Sequence, residues 1–183
     1  LGADPVILDV EYGTCAISVK EIAKRLDQIP NIKAIIVVHF AGQAVDVLND
    51  ESGSIKNLCR QYGVKIVEDA AHAFPARMGD RMIGNIGDVT CFSFYANKTI
   101  TTGEGGMLTT NNKDVFERVK LMRLHGIDRD VWDRFNNTRS SWEYDIRAPG
   151  FKYNMPDVNA AIGLAQLERS ELMRSNRQGI AMI

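Results

Sequence analysis

A nearly continuous apolar run fills residues 33–38 as Lys33-Ala34-Ile35-Ile36-Val37-Val38, and another covers Val64 to Val67 and runs directly into Glu68 and Asp69. β-Branched residues favour strands, and a run with so few polar residues is typical of a strand buried on both faces, as in a parallel sheet between layers of helices. Between the two runs, the segment from Ser54 to Tyr62 has helical character and ends at Gly63, a residue suited to a helix C-terminus. Strand, helix and strand in this order indicate an α/β fold.

The alternation of strands and helices extends in both directions from this centre. Upstream, a strand is predicted at Pro5 to Val10, and a helix is predicted from Ser18, because Ser18 and Glu21 have the spacing of a capping box. Downstream, two further strands are predicted at Asp88 to Phe94 and at Met107 to Thr110.

Two more helices are predicted in the last third of the chain. One runs from Asp114 to His125 and is closed by Gly126. Residues 126–150 follow as a polar, aromatic-rich segment, long enough to be a functional loop. The other helix begins near Pro156, which suits a first helical turn. Its apolar side is predicted to consist of Ala160, Ala161, Leu164, Ala165 and Leu167.

Composition places the chain among ordinary globular proteins. Hydrophobic residues make up 45% and charged residues 25% of the 183 residues, and this length suits one domain. The formal net charge of -1 provides no broad cationic field, so neither nucleic acid nor a membrane is an expected partner. The longest apolar run, Ala34 to Val38, is far shorter than the ~20 residues of a membrane helix. The three cysteines form no C-x-x-C pair, so no metal site is predicted and they are interpreted as buried thiols of a cytoplasmic protein.

Two strand-end residues, Asp69 and Lys98, are candidates for a functional site. Open α/β sheets bind ligands at the carboxyl ends of their strands, although Asp69 alone is explained equally well as a turn residue and Lys98 alone as a solvated loop lysine. Lys98, however, follows Ser93 and precedes threonines and glycines at residues 99–106, which let the backbone approach a ligand closely. An amine for an aldehyde, a carboxylate for a ring nitrogen and a hydroxyl for a phosphate together suit pyridoxal phosphate (PLP).

Several longer stretches match the motifs of one known family in order and spacing. They are Glu68-Asp69-Ala70-Ala71-His72-Ala73, Gly84-Asn85-Ile86-Gly87-Asp88 and the run from Cys91 to Gly106, with flanking matches at residues 37–43 and 150–161. These segments resemble the DegT/StrS family of PLP-dependent sugar-nucleotide aminotransferases. Within the family, His125-Gly126-Ile127, Val131-Trp132-Asp133-Arg134 and residues 148–154 look most like the branch that makes UDP-4-amino-4-deoxy-L-arabinose.

The resemblance implies the aspartate-aminotransferase fold, PLP fold type I, in which a mixed and mostly parallel sheet forms the large cofactor domain. Complete family members also have an N-terminal segment with a phosphate loop and a smaller C-terminal domain. Residues 1–183 are therefore expected to be the central part of the PLP-binding large domain, incomplete at both ends and without the small domain.

Four residues on or near the strand ends receive roles from the resemblance. Lys98 would hold the cofactor as a Schiff base and, once displaced by the amino donor, would act as the catalytic base. Asp69 would pair with the pyridine nitrogen and keep it protonated, and Ser93 would bind the phosphate. His72 would lie against the cofactor ring, the alternative being a half-buried histidine bonded to backbone.

Asn154 matches a position that reaches the phosphate of the neighbouring subunit, which implies a homodimer with shared active sites. The Arg that often follows this position in the family is replaced here by Met155-Pro156. For a remaining group the resemblance supports only proximity to the site, and ordinary turn packing explains these residues equally well: Glu104, His39, Trp132 and Arg134.

The expected reaction is transfer of an amino group from L-glutamate to a keto group of a nucleotide-linked sugar, in the synthesis of surface polysaccharide, lipid A or antibiotic sugars. One alternative is a sugar dehydratase that uses pyridoxamine phosphate, but such relatives have histidine where Lys98 stands. Another is a noncatalytic regulatory or binding protein, which the presence of Asp69, Ser93 and Lys98 disfavours.

Overall fold

A four-stranded sheet with helices organises the larger of two units in this chain. The computed structural model describes residues 2–48, 53–128 and 144–183. The larger unit comprises residues 1–111 and 157–183, and the smaller one residues 112–156. The helices are α1 (Val19–Gln28), α2 (Ile55–Tyr62), α3 (Lys113–Met122), α4 (Asp157–Leu167) and α5 (Ser170–Ala181), and the strands are β1 (Ala34–Val38), β2 (Lys65–Asp69), β3 (Arg77–Met78), β4 (Arg81–Met82), β5 (Val89–Ser93) and β6 (Gly106–Thr109).

The sheet is mixed and mostly parallel, as predicted. Its strand order is β1-β2-β5-β6, in which β1, β2 and β5 run parallel and β6 pairs antiparallel with β5. Strands β3 and β4 form a separate two-stranded sheet. Because β1, β2 and β5 are parallel, their carboxyl ends lie at one edge, where Asp69 and Ser93 end β2 and β5.

Side-chain and glycine caps define the first two helices, and among them the Ser18 cap and the end at Gly63 are the ones that the sequence predicts. The Ser18 hydroxyl accepts a hydrogen bond from the Glu21 N–H at 3.5 Å, and the Ser54 hydroxyl accepts one from the Asn57 N–H at 3.2 Å. Gly63 ends α2 with a left-handed φ of 67°, a conformation that costs little only for glycine.

The apolar core lies on the side of the sheet that α1 and α2 cover. It includes Val19, Ile22 and Leu26 of α1, Ile55 and Cys59 of α2, and Ile35, Val37 and Ile66 of the strands. Burial, together with the negative charge of Asp88, raises the pKa of the Cys59 thiol to about 11, so this thiol stays protonated at neutral pH. Cys91 is half-buried, but Cys15 is exposed, so the prediction of three buried thiols is wrong for Cys15.

Three sequence predictions about the larger unit are wrong. Residues 5–9 form no strand, and only Val10 makes an isolated bridge, to Ile17. Strand β1 is buried on one face only, because the side chains of Ile36 and Val38 remain 62% and 45% exposed. The predicted apolar side of α4 is not buried either, since Leu164 is 65% and Leu167 48% exposed.

The smaller unit contains α3 and the segments that pack on its end. The side chain of Asn112 caps the first turn by accepting hydrogen bonds from Asp114 and Val115. The helix ends at Met122, three residues before the predicted His125, and Gly126 follows with φ 72°. A Cβ at Gly126 would collide with the Ala148 carbonyl oxygen, so no other residue fits there.

Neither a membrane helix nor a metal centre is found in the parts of the chain that the structure describes. Among these residues no helix is long and apolar enough to cross a membrane. Likewise, no group of three or more His, Cys, Asp or Glu side chains among them could hold a metal ion.

Candidate functional site

A cavity of about 160 Å³ lies at the carboxyl edge of the sheet in the larger unit. It brings together three of the residues that the sequence singles out, Lys98, Ser93 and His72. The remaining lining residues are Ala41, Ala71, Phe74, Asn97, Thr99, Ile100 and Arg177. Of the two strand-end residues expected to face one crevice, Lys98 lines this cavity and Asp69 does not.

Backbone hydrogen bonds hold the loop that carries Lys98. The Ser93 hydroxyl accepts from the Tyr95 N–H at 3.3 Å, and the Lys98 N–H donates to the Tyr95 carbonyl oxygen at 3.0 Å. Farther along, the Thr102 N–H donates to the Phe94 carbonyl oxygen at 2.9 Å and the Phe94 N–H to Gly105 at 2.8 Å. The loop from residue 94 to 105 is thus closed at its base, so the position of Lys98 is defined.

Helix α4 holds the same loop through polar side chains. The Gln166 amide accepts a hydrogen bond from the Thr101 N–H at 2.9 Å and donates one to the Thr101 carbonyl oxygen at 2.6 Å. The Asn159 amide donates to the carbonyl oxygen of Thr102 at 2.8 Å and to that of Glu104 at 3.1 Å. This polar stripe faces the loop instead of the predicted apolar side, because the loop presents backbone groups that need partners.

Asp69 lies on the same face of the sheet as Ser93 but does not line the cavity. Asp69 is the register partner of Cys91, and side chains two residues apart on a strand share a face, so Asp69, Cys91 and Ser93 point to one side. The Asp69 side chain accepts a hydrogen bond from the Ala71 N–H at 3.0 Å. Burial of Cys91, together with the nearby negative charge of Asp69, raises the pKa of the Cys91 thiol.

His72 is exposed and lines the cavity, so the alternative of a half-buried histidine does not hold. The backbone behind it is tightly packed against the turn at residues 40–43. A Cβ on Gly42, which has φ 86°, would come within 2.9 Å of the His72 carbonyl oxygen. The close approach of these two turns places Ala41 and His72 on adjacent parts of the cavity wall.

The other described residues that the sequence singles out do not line the cavity. Asn154 belongs to the smaller unit, where its side-chain oxygen accepts a hydrogen bond from Lys152. Glu104 is exposed, and its backbone oxygen accepts hydrogen bonds from Thr102 and Asn159. His39 is 1% exposed and lies beneath the turn, outside the cavity lining. Trp132 and Arg134 lie outside the described residues.

Sequence reasoning missed Arg177, which lies on α5 and lines the cavity. No local motif marks this residue, because it comes near Lys98 only through the packing of a helix almost 80 residues later in the chain. Its guanidinium adds a permanent positive charge to the wall that also carries Lys98 and Ser93. Together they form a site that can bind an anion, and the primary amine can react with a carbonyl group.

Comparisons with known proteins agree with this description of the fold. The model of the DegT/DnrJ/EryC1/StrS aminotransferase family matches residues 1–183. The uncharacterized protein MJ1066 of Methanocaldococcus jannaschii is 47% identical over 181 residues, which cover 99% of this chain and 45% of that protein. The spore coat polysaccharide biosynthesis protein SpsC of Bacillus subtilis is 39% identical, over 98% of this chain and 44% of its own length. The chain therefore spans about half the length of the curated relatives it matches.

Solved structures give the same result. The putative sugar aminotransferase Spr1654 from Streptococcus pneumoniae, in its PMP form, matches with a TM-score of 0.81 and 29% identity, over 98% of this chain and 48% of that one. The PLP form of the same protein matches with a TM-score of 0.78. The overall fold is thus shared with putative sugar aminotransferases.

Proposed function

The chain belongs to the DegT/DnrJ/EryC1/StrS aminotransferase family, and from this membership we propose that it transfers an amino group from L-glutamate to a keto group of a nucleotide-linked sugar, with PLP as cofactor. The observation that carries the proposal is the meeting of Lys98, Ser93 and His72 in one cavity at the carboxyl edge of the sheet. The relatives support the sugar class, since SpsC is named for polysaccharide biosynthesis and Spr1654 as a putative sugar aminotransferase.

The residues of the cavity fit PLP. A cavity of roughly 150 Å³ holds one benzene ring, so the volume of about 160 Å³ is large enough for the pyridine ring of PLP. The primary amine of Lys98 suits the aldehyde, and the Ser93 hydroxyl and Arg177 guanidinium suit the phosphate. The Phe74 and His72 rings supply flat surfaces for an aromatic ligand.

Each residue of the site has a defined task in this proposal. When bound, PLP supplies an electron sink for the electrons released at the α-carbon of the amino donor. Lys98 anchors the cofactor and then carries the proton taken from the donor α-carbon. Asp69 holds a proton on the ring nitrogen by its negative charge, and Ser93 orients the phosphate through a hydrogen bond.

The positive charge of Arg177 in the cavity wall supports a negatively charged ligand. With Lys98 occupied by the cofactor, Arg177 is the remaining permanent cation among the described residues of the cavity wall, and it favours an anionic group at that side. A cofactor phosphate and the diphosphate of a nucleotide sugar both satisfy this condition. The nucleotide link of the sugar is therefore consistent with the charge of the cavity.

The proposed pathway branch and location rest on the sequence motifs. His125-Gly126-Ile127 and residues 148–154 favour a substrate like that of the UDP-4-amino-4-deoxy-L-arabinose branch, within surface polysaccharide or lipid A synthesis. We also propose that residues 1–183 form the central part of the PLP-binding large domain. Three free cysteines fit a reducing compartment, so the proposed location is the cytoplasm.

The direct test is an assay for amino transfer with the full-length protein. Incubation with L-glutamate and a panel of nucleotide-linked keto-sugars should release 2-oxoglutarate with at least one substrate, and the Lys98→Ala variant should release it at least about 100-fold more slowly. Loss of a sugar hydroxyl without net amino transfer would instead identify a dehydratase. Bound PLP without any turnover across the panel would support a noncatalytic protein.

We propose further that the active unit is a homodimer in which Asn154 serves the site of the other subunit. Inactive Lys98→Ala and Asn154→Ala full-length subunits, when mixed, should form hybrid dimers in which one site carries both defects and the other carries neither. Part of the activity should therefore return on mixing. If hybrids form and remain as inactive as their parents, Asn154 does not act across the interface.

A further inference from the structure

Beneath the cavity wall, on the helix-covered side of the sheet, lies a buried pair that the proposed chemistry does not use. The side chains of His39 and Glu68 are both fully buried, and His39 Nε2 lies 3.1 Å from Glu68 Oε1. The other carboxylate oxygen, Oε2, accepts hydrogen bonds from the Thr90 hydroxyl at 2.7 Å and the Gly87 N–H at 2.8 Å. Burial alone would raise the pKa of Glu68, but the hydrogen bonds from His39, Thr90 and Gly87 outweigh it and lower the pKa, so the group is a carboxylate at neutral pH.

The hydrogen bonds also determine which ring nitrogen of His39 carries the proton. The Val45 N–H donates to His39 Nδ1 at 3.0 Å, so Nδ1 is an acceptor and carries no proton. The ring proton therefore lies on Nε2 and is donated to Glu68. The His39 ring thus links the backbone N–H of Val45 to the carboxylate of Glu68 on β2. Rotation of the ring would break these bonds and leave buried polar groups unpaired.

The segment that this pair holds is part of the cavity. The His39 N–H donates to the Asp69 carbonyl oxygen at 3.0 Å, which fixes the start of the turn, and the side-chain bond to Val45 fixes its end. Between these anchors Ala41 has a left-handed φ of 53°, uncommon for a residue other than glycine. Ala41 lines the cavity, and Gly42 contacts the backbone of His72, which lines it too.

We propose that His39 and Glu68 are positioning residues for the cofactor site: their buried hydrogen bonds hold the turn at residues 40–45 in the strained conformation that places Ala41 and His72 around the ring. The inference rests on the proposed function, because it takes the cavity beside Lys98 to bind PLP. The bond from Val45 to Nδ1 shapes the turn, and the bond from Nε2 to Glu68 keeps the ring in the orientation that allows it.

Two substitutions of His39 separate the two bonds. In His39→Asn, the amide oxygen stands where Nδ1 was and still accepts from Val45, but nothing reaches Glu68. In His39→Gln, the amide nitrogen stands where Nε2 was and still donates to Glu68, but Val45 loses its acceptor. Leu26→Ala, a buried substitution on α1, is the matched control for a general loss of stability.

The measurement is the dissociation constant of PLP, from the visible absorbance of the bound cofactor in the full-length protein, beside the melting temperature of each apo variant. We expect His39→Gln, which loses the bond to the turn itself, to weaken PLP binding by roughly ten-fold or more, the equivalent of one lost buried hydrogen bond. His39→Asn keeps the bond to Val45 but loses the anchor to Glu68, so it should weaken PLP binding less, by about three-fold. Leu26→Ala should melt earlier with unchanged affinity. Gly42→Ala, which removes no core side chain, should weaken PLP binding by pushing the turn away from His72, and it serves as the test if His39→Gln does not fold.

The possible outcomes distinguish a failure of the positioning role from a failure of the proposed function. If wild-type protein binds no PLP, the proposed function fails. If wild type binds PLP but the affinity of the variants follows their melting temperatures, or all of them bind as wild type does, His39 and Glu68 are structural residues and the inference alone is wrong.

Discussion

The two faces of the four-stranded sheet are made by alternate residues of the same strands, yet they have opposite character. On the face covered by α1 and α2, Ile35 and Val37 are 8% and 0% exposed, whereas their neighbour Ile36 on the other face is 62% exposed. The contrast is sharpest in β2, where Glu68 is 0% exposed with three hydrogen-bond donors and Asp69, the next residue, is half-buried beside the functional cavity.

This difference shows that adjacent residues of one short strand can have opposite surroundings, one buried among hydrogen-bond donors and one beside the cavity. A buried carboxylate is tolerated only where hydrogen bonds replace water, and the helix-covered face provides them from His39, Thr90 and Gly87. On the opposite face Asp69 stays partly exposed. Apolar residues of the covered face should therefore respond to substitution by losing stability, the buried His39–Glu68 pair by losing both stability and cofactor affinity, and site residues of the open face by losing function.

The largest expected effect belongs to Lys98 at the open face. Lys98→Ala should remove the covalent attachment of PLP and lower amino transfer by about 10²–10⁴-fold from the loss of the base alone, with little change in melting temperature. Borohydride reduction followed by peptide mapping should place the wild-type adduct on Lys98. An adduct on Lys152 would contradict the assignment of the whole site.

Asp69→Asn should have the next largest effect. The amide cannot stabilise a protonated ring nitrogen, so we expect PLP to remain bound while transition-state stabilisation falls by about 2–4 kcal/mol, or roughly two to three decades in rate. Single-turnover rates with L-glutamate measure this directly. Near-normal turnover would show that the carboxylate has no part in the chemistry.

Besides its effect on PLP binding through His39, Glu68→Gln should reduce stability and change the dependence of stability on pH. The folded pKa of Glu68 is lowered, so the carboxylate contributes stability above its unfolded pKa of about 4.3 and this contribution is lost as pH falls through the folded value. We expect the substitution to cost about 1–3 kcal/mol of unfolding free energy at neutral pH. The carboxylate accepts all of its hydrogen bonds, whereas an amide NH₂ group is a donor and would face another N–H donor, such as that of the His39 ring. Denaturation between neutral pH and pH 3 should give a flatter stability curve for the variant.

In that experiment, Asp88→Asn is the control, because Asp88 also has a lowered pKa: burial opposes the shift, and hydrogen bonds from Ile66 and Lys65 outweigh it. Asp88 is only half-buried, so its substitution should change the curve less. Identical curves for wild type and Glu68→Gln would show that the buried carboxylate contributes nothing to acid sensitivity.

The smallest effect should distinguish the two faces most directly. Ile35→Val should cost about 0.5–1.5 kcal/mol of unfolding free energy, and Ile36→Val should stay within about 0.5 kcal/mol of wild type, although the residues are adjacent and the substitutions identical. Chemical denaturation of both variants provides the comparison. An equal cost would mean that another part of the full-length protein covers the open face.

Much of the fold was predictable because its signals are local. Ser18 and Ser54 cap their helices and Gly63 ends α2, since these are the residues that satisfy terminal backbone groups or adopt a left-handed φ. Strands β2, β5 and β6 lie within two residues of their predicted bounds. Lys98, Ser93 and His72, which the strand ends and the family motif single out in the sequence, line one cavity in the structure.

The features that the sequence did not reveal depend on which surfaces meet. One face of β1 stays exposed because no described element covers it. Three further features bring together residues that are far apart in the chain: the polar contacts of α4 with the Lys98 loop, the burial of His39 against Glu68, and the position of Arg177 at the cavity. Sequence alone determined the strand and helix signals and the residue types available for chemistry, because these follow from local backbone preferences. Only the tertiary structure decided which polar groups became buried partners and which apolar groups stayed exposed, because burial is a property of packed neighbours and not of the residue itself.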